Sequence, residues 1–202
     1  DGVNSMMATA GDFVTKMAGT ELVVKGEENL WSHRPAVFIL NHQSSMDMFI
    51  AAKLIRKDAR GVAKKSLKNI PIIGQMLQAG GAIFIDRGDK DKAIEAMKPA
   101  VDALKGGTSV IIFPEGTRSK SYTLGKFKKG AFHLAMQAGV PIVPIIITNA
   151  IDSIPEDGGI FKPAAVEVKV LKPIPTIDWT KEELDQNITW IRGMFLQELG
   201  QG

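Results

Sequence analysis

The chain has 202 residues, enough for one domain with a sizeable core. Hydrophobic residues make up 45% and charged residues 23%, an ordinary balance for a globular protein, and 25 Lys and Arg against 22 Asp and Glu leave a charge of only +3. That slight excess argues against a nucleic-acid binder and fits an anionic substrate or membrane surface. The absence of cysteine excludes a disulfide, a thiol nucleophile and a thiolate metal site, and fits a reducing cytosolic setting.

Taken in order, residues 3–18 read as a helix. Val3, Met7, Ala10, Val14 and Met17 repeat at three and four, with Met6 and Phe13 beside them. Two readings stay open for this methionine-rich face: an ordinary core-facing helix, or one lying in a membrane interface. Its polar face lacks the run of Lys and Arg that the second reading calls for. Glu21 to Gly26 reads as a strand, and the apolar run Ala36 to Leu40 as a buried one. A helix from about Met46 to Arg56 follows, then a short strand at Gly61 to Ala63 that ends at Lys64 and Lys65. Ile70-Pro71-Ile72-Ile73-Gly74 turns into a short helix. Gly80 to Arg87 reads as a buried strand ending in charge. Residues 89–105 read as a helix with a kink expected at Pro99 and a stop at Gly106-Gly107. Thr108 to Phe113 is a strand, Gly130 to Gln137 a helix and Val140 to Thr148 a strand. Residues 150–163 read as loop. The alternation of Ala165 to Val170 suggests a half-exposed edge strand. Thr180-Lys181-Glu182-Glu183 is a capping box that opens a last helix with the stripe Leu184, Ile188, Ile191, Phe195 and Leu199.

Strands alternating with helices indicate a single α/β domain with a mostly parallel central sheet flanked by helices. The division expected is an N-terminal amphipathic helix over 1–20 and a domain over 21–202. No apolar run approaches the roughly 20 residues that span a bilayer. The chain starts at Asp1 rather than Met, so a longer polypeptide with a fused or upstream domain is compatible with it.

Two loops carry chemistry. Asn41-His42-Gln43-Ser44-Ser45-Met46-Asp47 follows a buried strand, where α/β folds place their sites. In one continuous helix His42 and Asp47 would lie about 140° apart. With His42 in the loop and a helix starting near Ser45, Asp47 falls in the first turn, where Ser44 or Ser45 can cap and the dipole favours a carboxylate. The loop can then fold His42 against Asp47, which would fix the tautomer and leave a ring nitrogen to accept a hydroxyl proton. The residues alone leave equally open a surface histidine with no partner. Phe113-Pro114-Glu115-Gly116-Thr117-Arg118-Ser119 also follows a buried strand. Arg118 offers a planar fork suited to phosphate, Glu115 can hold that fork or a substrate hydroxyl, and Gly116 with the next amides can form an anion-binding concavity. A turn with a solvated ion pair is the plainer alternative. Lys120, Lys126, Lys128 and Lys129 read as solvent-facing cations that raise the local concentration of an anion. Lys64, Lys65 and Arg87 stand at further strand ends, and if those strands are parallel neighbours, all these residues converge on one sheet edge.

Other chemistries lack their motifs. Gly-x-Ser-x-Gly, phosphate-loop and dinucleotide-binding patterns are missing. His33, His42 and His133 are far apart without a His-Glu-x-x-His, so a zinc site is not expected, and His133 reads as a structural helix residue.

With both loops in view, the sequence resembles the glycerolipid acyltransferase superfamily with its H-x4-D motif, and within it the 1-acylglycerol-3-phosphate acyltransferases. Gly81 to Arg87, Val140 to Ile145 and Lys64-Lys65-Ser66-Leu67 with Ile70-Pro71 resemble further blocks, in order over roughly residues 20–150. The resemblance implies His42 as general base on the acceptor hydroxyl and Asp47 as its orienting carboxylate. It implies a glycerol-phosphate site from Arg87, Glu115, Gly116, Thr117 and Arg118 with Lys64 or Lys65. It also implies an acyl thioester donor, acyl-CoA or acyl carrier protein, with no metal or cofactor, and lysophosphatidate as acceptor, favoured by Asn41 and Pro114. Residues 140–145 would pack near the acyl chain or support the site. The thioester oxyanion would need backbone amides that the sequence does not identify. Peripheral attachment at the cytoplasmic face of a membrane is expected for so amphiphilic a substrate. The alternatives are the same chemistry on glycerol 3-phosphate or another lysophospholipid, and a lipid-binding module without turnover, which would not need a His-Asp pair.

Overall fold

Residues buried on both faces of a sheet must be apolar throughout, and two strands show this without a break. Every residue of β2 (Val37–Leu40) is buried, as are Ile142 to Ile147 of β6 (Ile142–Thr148). They lie side by side at the centre of a seven-stranded sheet in a computed structural model that describes residues 2–86, 96–119, 121–150, 163 and 165–202. The strand order is β1-β7-β6-β2-β5-β3-β4, with β1 at Glu21–Lys25, β3 at Ala59–Lys64, β4 at Ile83–Ile85, β5 at Ser109–Ile112 and β7 at Ala165–Val170. β6, β2, β5, β3 and β4 run parallel, β7 runs antiparallel to β6, and β1 runs parallel to β7.

Alternate residues of β2 feed two cores. Val37 and Ile39 join Val110, Ile112, Leu104, Leu134, Ile191 and Phe195 on one face, where α5 (Lys98–Lys105), α6 (Gly130–Ala138) and α7 (Leu184–Glu198) pack. Phe38 and Leu40 join Ile50, Leu54, Val143, Val166 and Val168 on the other, covered by α3 (Met46–Leu54) with α1 (Gly2–Met17) beyond it. The short helices α2 (Asn29–Ser32) and α4 (Ile73–Ala79) and a 3-10 turn at Lys65–Asn69 complete the described elements. The parallel α/β sheet expected from the alternation is what the chain adopts.

Several elements differ from the sequence reading. β7 alternates exposed and buried residues, yet it lies between β6 and β1, and β1 takes the edge. The alternation reflects cover on one face: Val166, Val168 and Val170 are in the core while Ala165, Glu167 and Lys169 face out. The strand expected over 80–87 is three residues long and pairs with β3 alone. Pro99 lies in the first turn of α5, where its missing N–H costs no helical bond, and the helical Ala96 and the turn at Met97 precede it. The rest of the helix expected over 89–105, to residue 95, lies outside the described residues, as does most of the loop at 150–163. The capping box forms just ahead of α7: the Thr180 N–H donates to Glu183 Oε2 at 3.3 Å and the Glu183 N–H to Thr180 Oγ1 at 3.4 Å.

The face that α1 buries is also different. Ala8, Gly11, Thr15 and Ala18 are buried, while Met6, Phe13 and Met17 stand 50%, 64% and 65% exposed. Small residues win because they let two backbones approach. A Cβ on Gly11 would lie 2.6 Å from the Phe49 carbonyl oxygen of α3. Lys53 Nζ then reaches Thr15 Oγ1 at 3.2 Å and Asp12 Oδ1 at 3.4 Å. Among the described residues, no helix is long and apolar enough to cross a membrane.

Candidate active site

The site is built where β2 stops. Asn41 is buried, and its side chain imitates a strand partner: Oδ1 accepts the Ile147 N–H at 2.8 Å and Nδ2 donates to the Ile147 carbonyl at 2.8 Å. The side chain thus takes over pairing with β6, and the His42 backbone turns toward the loop after β5. The His42 N–H donates to Glu115 Oε1 at 2.7 Å, and its carbonyl accepts the Ser119 N–H at 2.8 Å. Both main-chain polar groups of His42 are therefore fixed.

The imidazole stacks on Phe113 with ring centroids 4.3 Å apart, and its Nδ1 lies 2.9 Å from Asp47 Oδ2. The carboxylate and the ring are neighbours, as the folded-back loop requires. The same oxygen accepts the N–H groups of Gln43 at 2.7 Å and Ser44 at 2.8 Å. Asp47 thereby closes the entry of its own helix. Ser45 occupies the N-cap without a side-chain capping bond, and Ser44 Oγ accepts the Met46 N–H at 3.2 Å. The second oxygen, Asp47 Oδ1, is buried with no hydrogen-bond partner. With Nδ1 bound to Asp47, Nε2 is the ring nitrogen available to a substrate proton. The imidazole is 16% exposed, so a ligand can reach it.

The loop after β5 faces this histidine. Glu115 is buried, and its carboxylate spans two segments, with Oε1 on His42 and Oε2 accepting the Gly125 N–H at 2.8 Å. Burial raises its pKa from 4.5, opposed by those two backbone bonds. Arg118 is held by Ser45 Oγ, at the N-terminus of α3 and beside the histidine loop, rather than by Glu115. Gly116 has φ of 76°, a left-handed turn that suits glycine, and its N–H closes onto the Phe113 carbonyl at 3.0 Å. That amide is engaged in the turn. Lys128 packs over the same glycine: a Cβ there would sit 2.9 Å from Lys128 Nζ. Thr117 and Arg118 are exposed. Lys129 pairs instead with Asp185 at 2.7 Å.

β2, β5, β3 and β4 are parallel neighbours in that order, so their carboxyl ends share one edge. Lys64 ends β3, one strand from β5, and Lys65 beside it pairs with Asp86 at 3.8 Å. Arg87 and Lys120 lie outside the described residues. Four residues have roles that the sequence reading does not assign: Phe113 as a stacking platform, Ser45 as the partner of Arg118, Lys128 over Gly116, and Gln43, whose Nε2 donates to the Tyr122 carbonyl at 2.6 Å. Phe113 had a positional signal, being the last residue of the expected strand before the loop.

The mostly parallel sheet thus brings a His-Asp pair and an arginine together at its carboxyl edge. A sequence model of the acyltransferase family matches residues 21–148, a span that includes both loops, and the chain belongs to that family. It is 36% identical over 186 residues to the 1-acyl-sn-glycerol-3-phosphate acyltransferase of Saccharomyces cerevisiae, across 91% of this chain and 61% of the yeast protein. The enzyme of that name from Salmonella typhimurium is 31% identical over 199 residues, across 96% of this chain and 80% of its own length. The crystal structure of the 1-acyl-sn-glycerophosphate acyltransferase PlsC from Thermotoga maritima superposes with a TM-score of 0.81 at 27% identity, covering 98% of this chain and 80% of that one. The chain thus spans about three fifths of the yeast relative's length.

Proposed function

We propose that this chain transfers an acyl group from acyl-CoA or acyl carrier protein to the sn-2 hydroxyl of 1-acylglycerol 3-phosphate, giving phosphatidate. The observation that carries the reading is the 2.9 Å contact between His42 and Asp47 at the edge where Arg118 stands. His42 Nε2 takes the hydroxyl proton as the oxygen attacks the thioester carbon. The tetrahedral intermediate then expels the thiolate, which recovers the proton from the imidazolium. Positioned acid–base catalysis of this kind contributes ~10²–10⁴-fold. Asp47 orients the ring and balances its transient charge. Arg118 and Thr117 receive the phosphate, with Lys64 and Lys65 at the same edge of the sheet and Arg87 as a further phosphate ligand by sequence alone. The nucleophile is the substrate's own hydroxyl, so neither a metal nor a cofactor enters the scheme.

The chain works at a membrane surface as a peripheral protein on the cytoplasmic face, where its amphiphilic acceptor resides. The exposed Met6, Phe13 and Met17 of α1 support this, as do Ile70, Ile72 and Ile73, exposed beside Lys68 and following the strand that ends at Lys64. Flotation with anionic vesicles tests it, and binding that survives polar substitution at all six positions rejects this surface.

The reaction is tested by following thioester consumption with acceptor present. His42→Ala should lower turnover by ~10²-fold or more while the fold is kept; unchanged turnover removes His42 from the chemistry. An acceptor panel of 1-acylglycerol 3-phosphate, glycerol 3-phosphate and a lysophospholipid without a terminal phosphate monoester identifies the acceptor. No turnover on any of them leaves lipid binding alone.

A further inference from the structure

The last helix reaches the site from outside the stretch that carries the family motifs. α7 packs through Leu184, Ile188, Ile191 and Phe195, and Arg192 lies half-buried beside that stripe. Arg192 Nη2 donates to the Leu124 carbonyl and Nε to the Gly125 carbonyl, each at 2.9 Å. A planar fork thus grips two consecutive peptide groups. Gln201 adds to the grip: its Oε1 accepts the Leu124 N–H at 2.9 Å and its Nε2 donates to the Tyr122 carbonyl. Both residues lie beyond residues 21–148, and the proposed chemistry uses neither.

The 124–125 peptide that Arg192 holds has its other end in the site. The Leu124 carbonyl and the Gly125 N–H belong to one peptide group. Its oxygen accepts from Arg192, and its N–H donates to Glu115 Oε2 at 2.8 Å. Bonds at both ends of one peptide polarise each other in the same sense. Glu115 then passes the constraint on, since its other oxygen accepts the His42 N–H at 2.7 Å. The fit at the joint is close, because a Cβ on Gly125 would lie 2.8 Å from Glu115 Oε2. A buried carboxylate keeps one orientation only while its donors stay put.

We propose that Arg192 is a positioning residue for the catalytic base, a reading that rests on His42 having that role. The guanidinium fixes the 124–125 peptide, the peptide fixes the Glu115 carboxylate, and the carboxylate fixes the backbone that carries the imidazole. Arg192 touches neither substrate nor ring.

The test measures kcat, both KM values and thermal unfolding for wild type, R192A, R192K, E115Q, R192A/E115Q and H42A. Misplacing a catalytic group slows the chemical step without weakening ground-state binding, so R192A should lose ~10- to 100-fold in kcat with both KM values within about twofold. A lysine brings the charge but no fork, so R192K should recover only part of the rate. Residues acting through one chain are non-additive, so the double variant should be within about threefold of the slower single one. R192A turning over at the wild-type rate, a loss confined to KM, or single losses that multiply in the double variant would each overturn the proposal. If R192A does not fold, R192K decides, and a wild-type rate for it is a rejection. Retained turnover in H42A removes both this proposal and the base assignment, whereas an inactive H42A beside a normal R192A removes this one alone.

Discussion

Replacing Asp47 with asparagine separates charge from geometry at the base. Asp47 Oδ2 accepts from His42 Nδ1 at 2.9 Å, from Gln43 N–H at 2.7 Å and from Ser44 N–H at 2.8 Å. An amide oxygen at the same point keeps all three bonds. What disappears is the negative charge beside an imidazole that, in the proposed reaction, becomes an imidazolium as it takes the substrate proton. Two unit charges about 4 Å apart interact by ~4 kcal/mol at an effective dielectric of ~20. Asp47 is 1% exposed and the His42 side chain 16%, so salt screens the pair little. At ~1.4 kcal/mol per decade, D47N should lose about 10³ in kcat. Stability should move less. The amide nitrogen would take the place of Oδ1, which is buried without a partner, and an unpaired buried donor costs ~1–3 kcal/mol. D47A should be less stable still, because it also strips the acceptor from two backbone amides. Thioester release at saturating acceptor, with urea unfolding in parallel, reads both quantities. A folded D47N enzyme within about tenfold of wild-type kcat would refute the charge argument.

Arg118→Ala should raise the acceptor KM by ~10-fold or more with kcat nearly unchanged, and a pure kcat effect contradicts phosphate binding. Gly11→Val forces a Cβ to within 2.6 Å of the Phe49 carbonyl, so urea unfolding should show a loss of ~1–3 kcal/mol. Ile72 carries φ of 67° with its side chain 70% exposed, and Ile72→Gly should relieve ~1 kcal/mol of strain while weakening vesicle flotation. Burial raises the Glu115 pKa above 4.5, so the folded state keeps its proton to a higher pH than the unfolded state. Between those two values the folded state binds more protons, and stability falls as pH rises through that window. Wild type should therefore lose stability relative to E115Q across it, and a flat difference in the unfolding midpoints is the contrary result.

Most of the fold was legible because strands buried on both faces cannot hide. Val37 to Leu40 and Ile142 to Ile147 are continuous apolar runs, and turn residues punctuate them. The two site loops were legible because each follows such a run. The bonds that tie them together were not. Glu115 to His42 spans 73 residues and Arg192 to Gly125 spans 67, and a side chain bonded to a distant backbone leaves no periodic trace. Which face α1 buries stays open in the sequence for a related reason. Hydrophobic periodicity weighs Met6, Phe13 and Met17 heavily, whereas the contact with α3 was decided by how closely Gly11 could approach. β7 misled because alternation counts covered faces and not neighbouring strands.

The two halves of the site are built to different tolerances, and the difference follows from what each must do. The histidine half is overdetermined. Asp47 accepts two backbone amides besides the ring, Glu115 accepts two more, and Asn41 replaces the strand pairing that would hold position 42 flat. Proton transfer needs heavy atoms within about 2.6–3.2 Å, so small errors there fall on the rate. The cationic half is open. Arg118 is exposed and tethered to Ser45, and Lys128 lies over a glycine turn. A phosphate is gathered by charge over roughly a Debye length, ~8–10 Å, and tolerates a cation that shifts with it. Substitutions around residues 41–47 and their distant supports should therefore register in kcat, and those around 117–128 that face the edge should register in the acceptor KM. Arg192 sits on α7, far from either loop in sequence, and it belongs with the first group because its bonds end on the peptide that Glu115 holds.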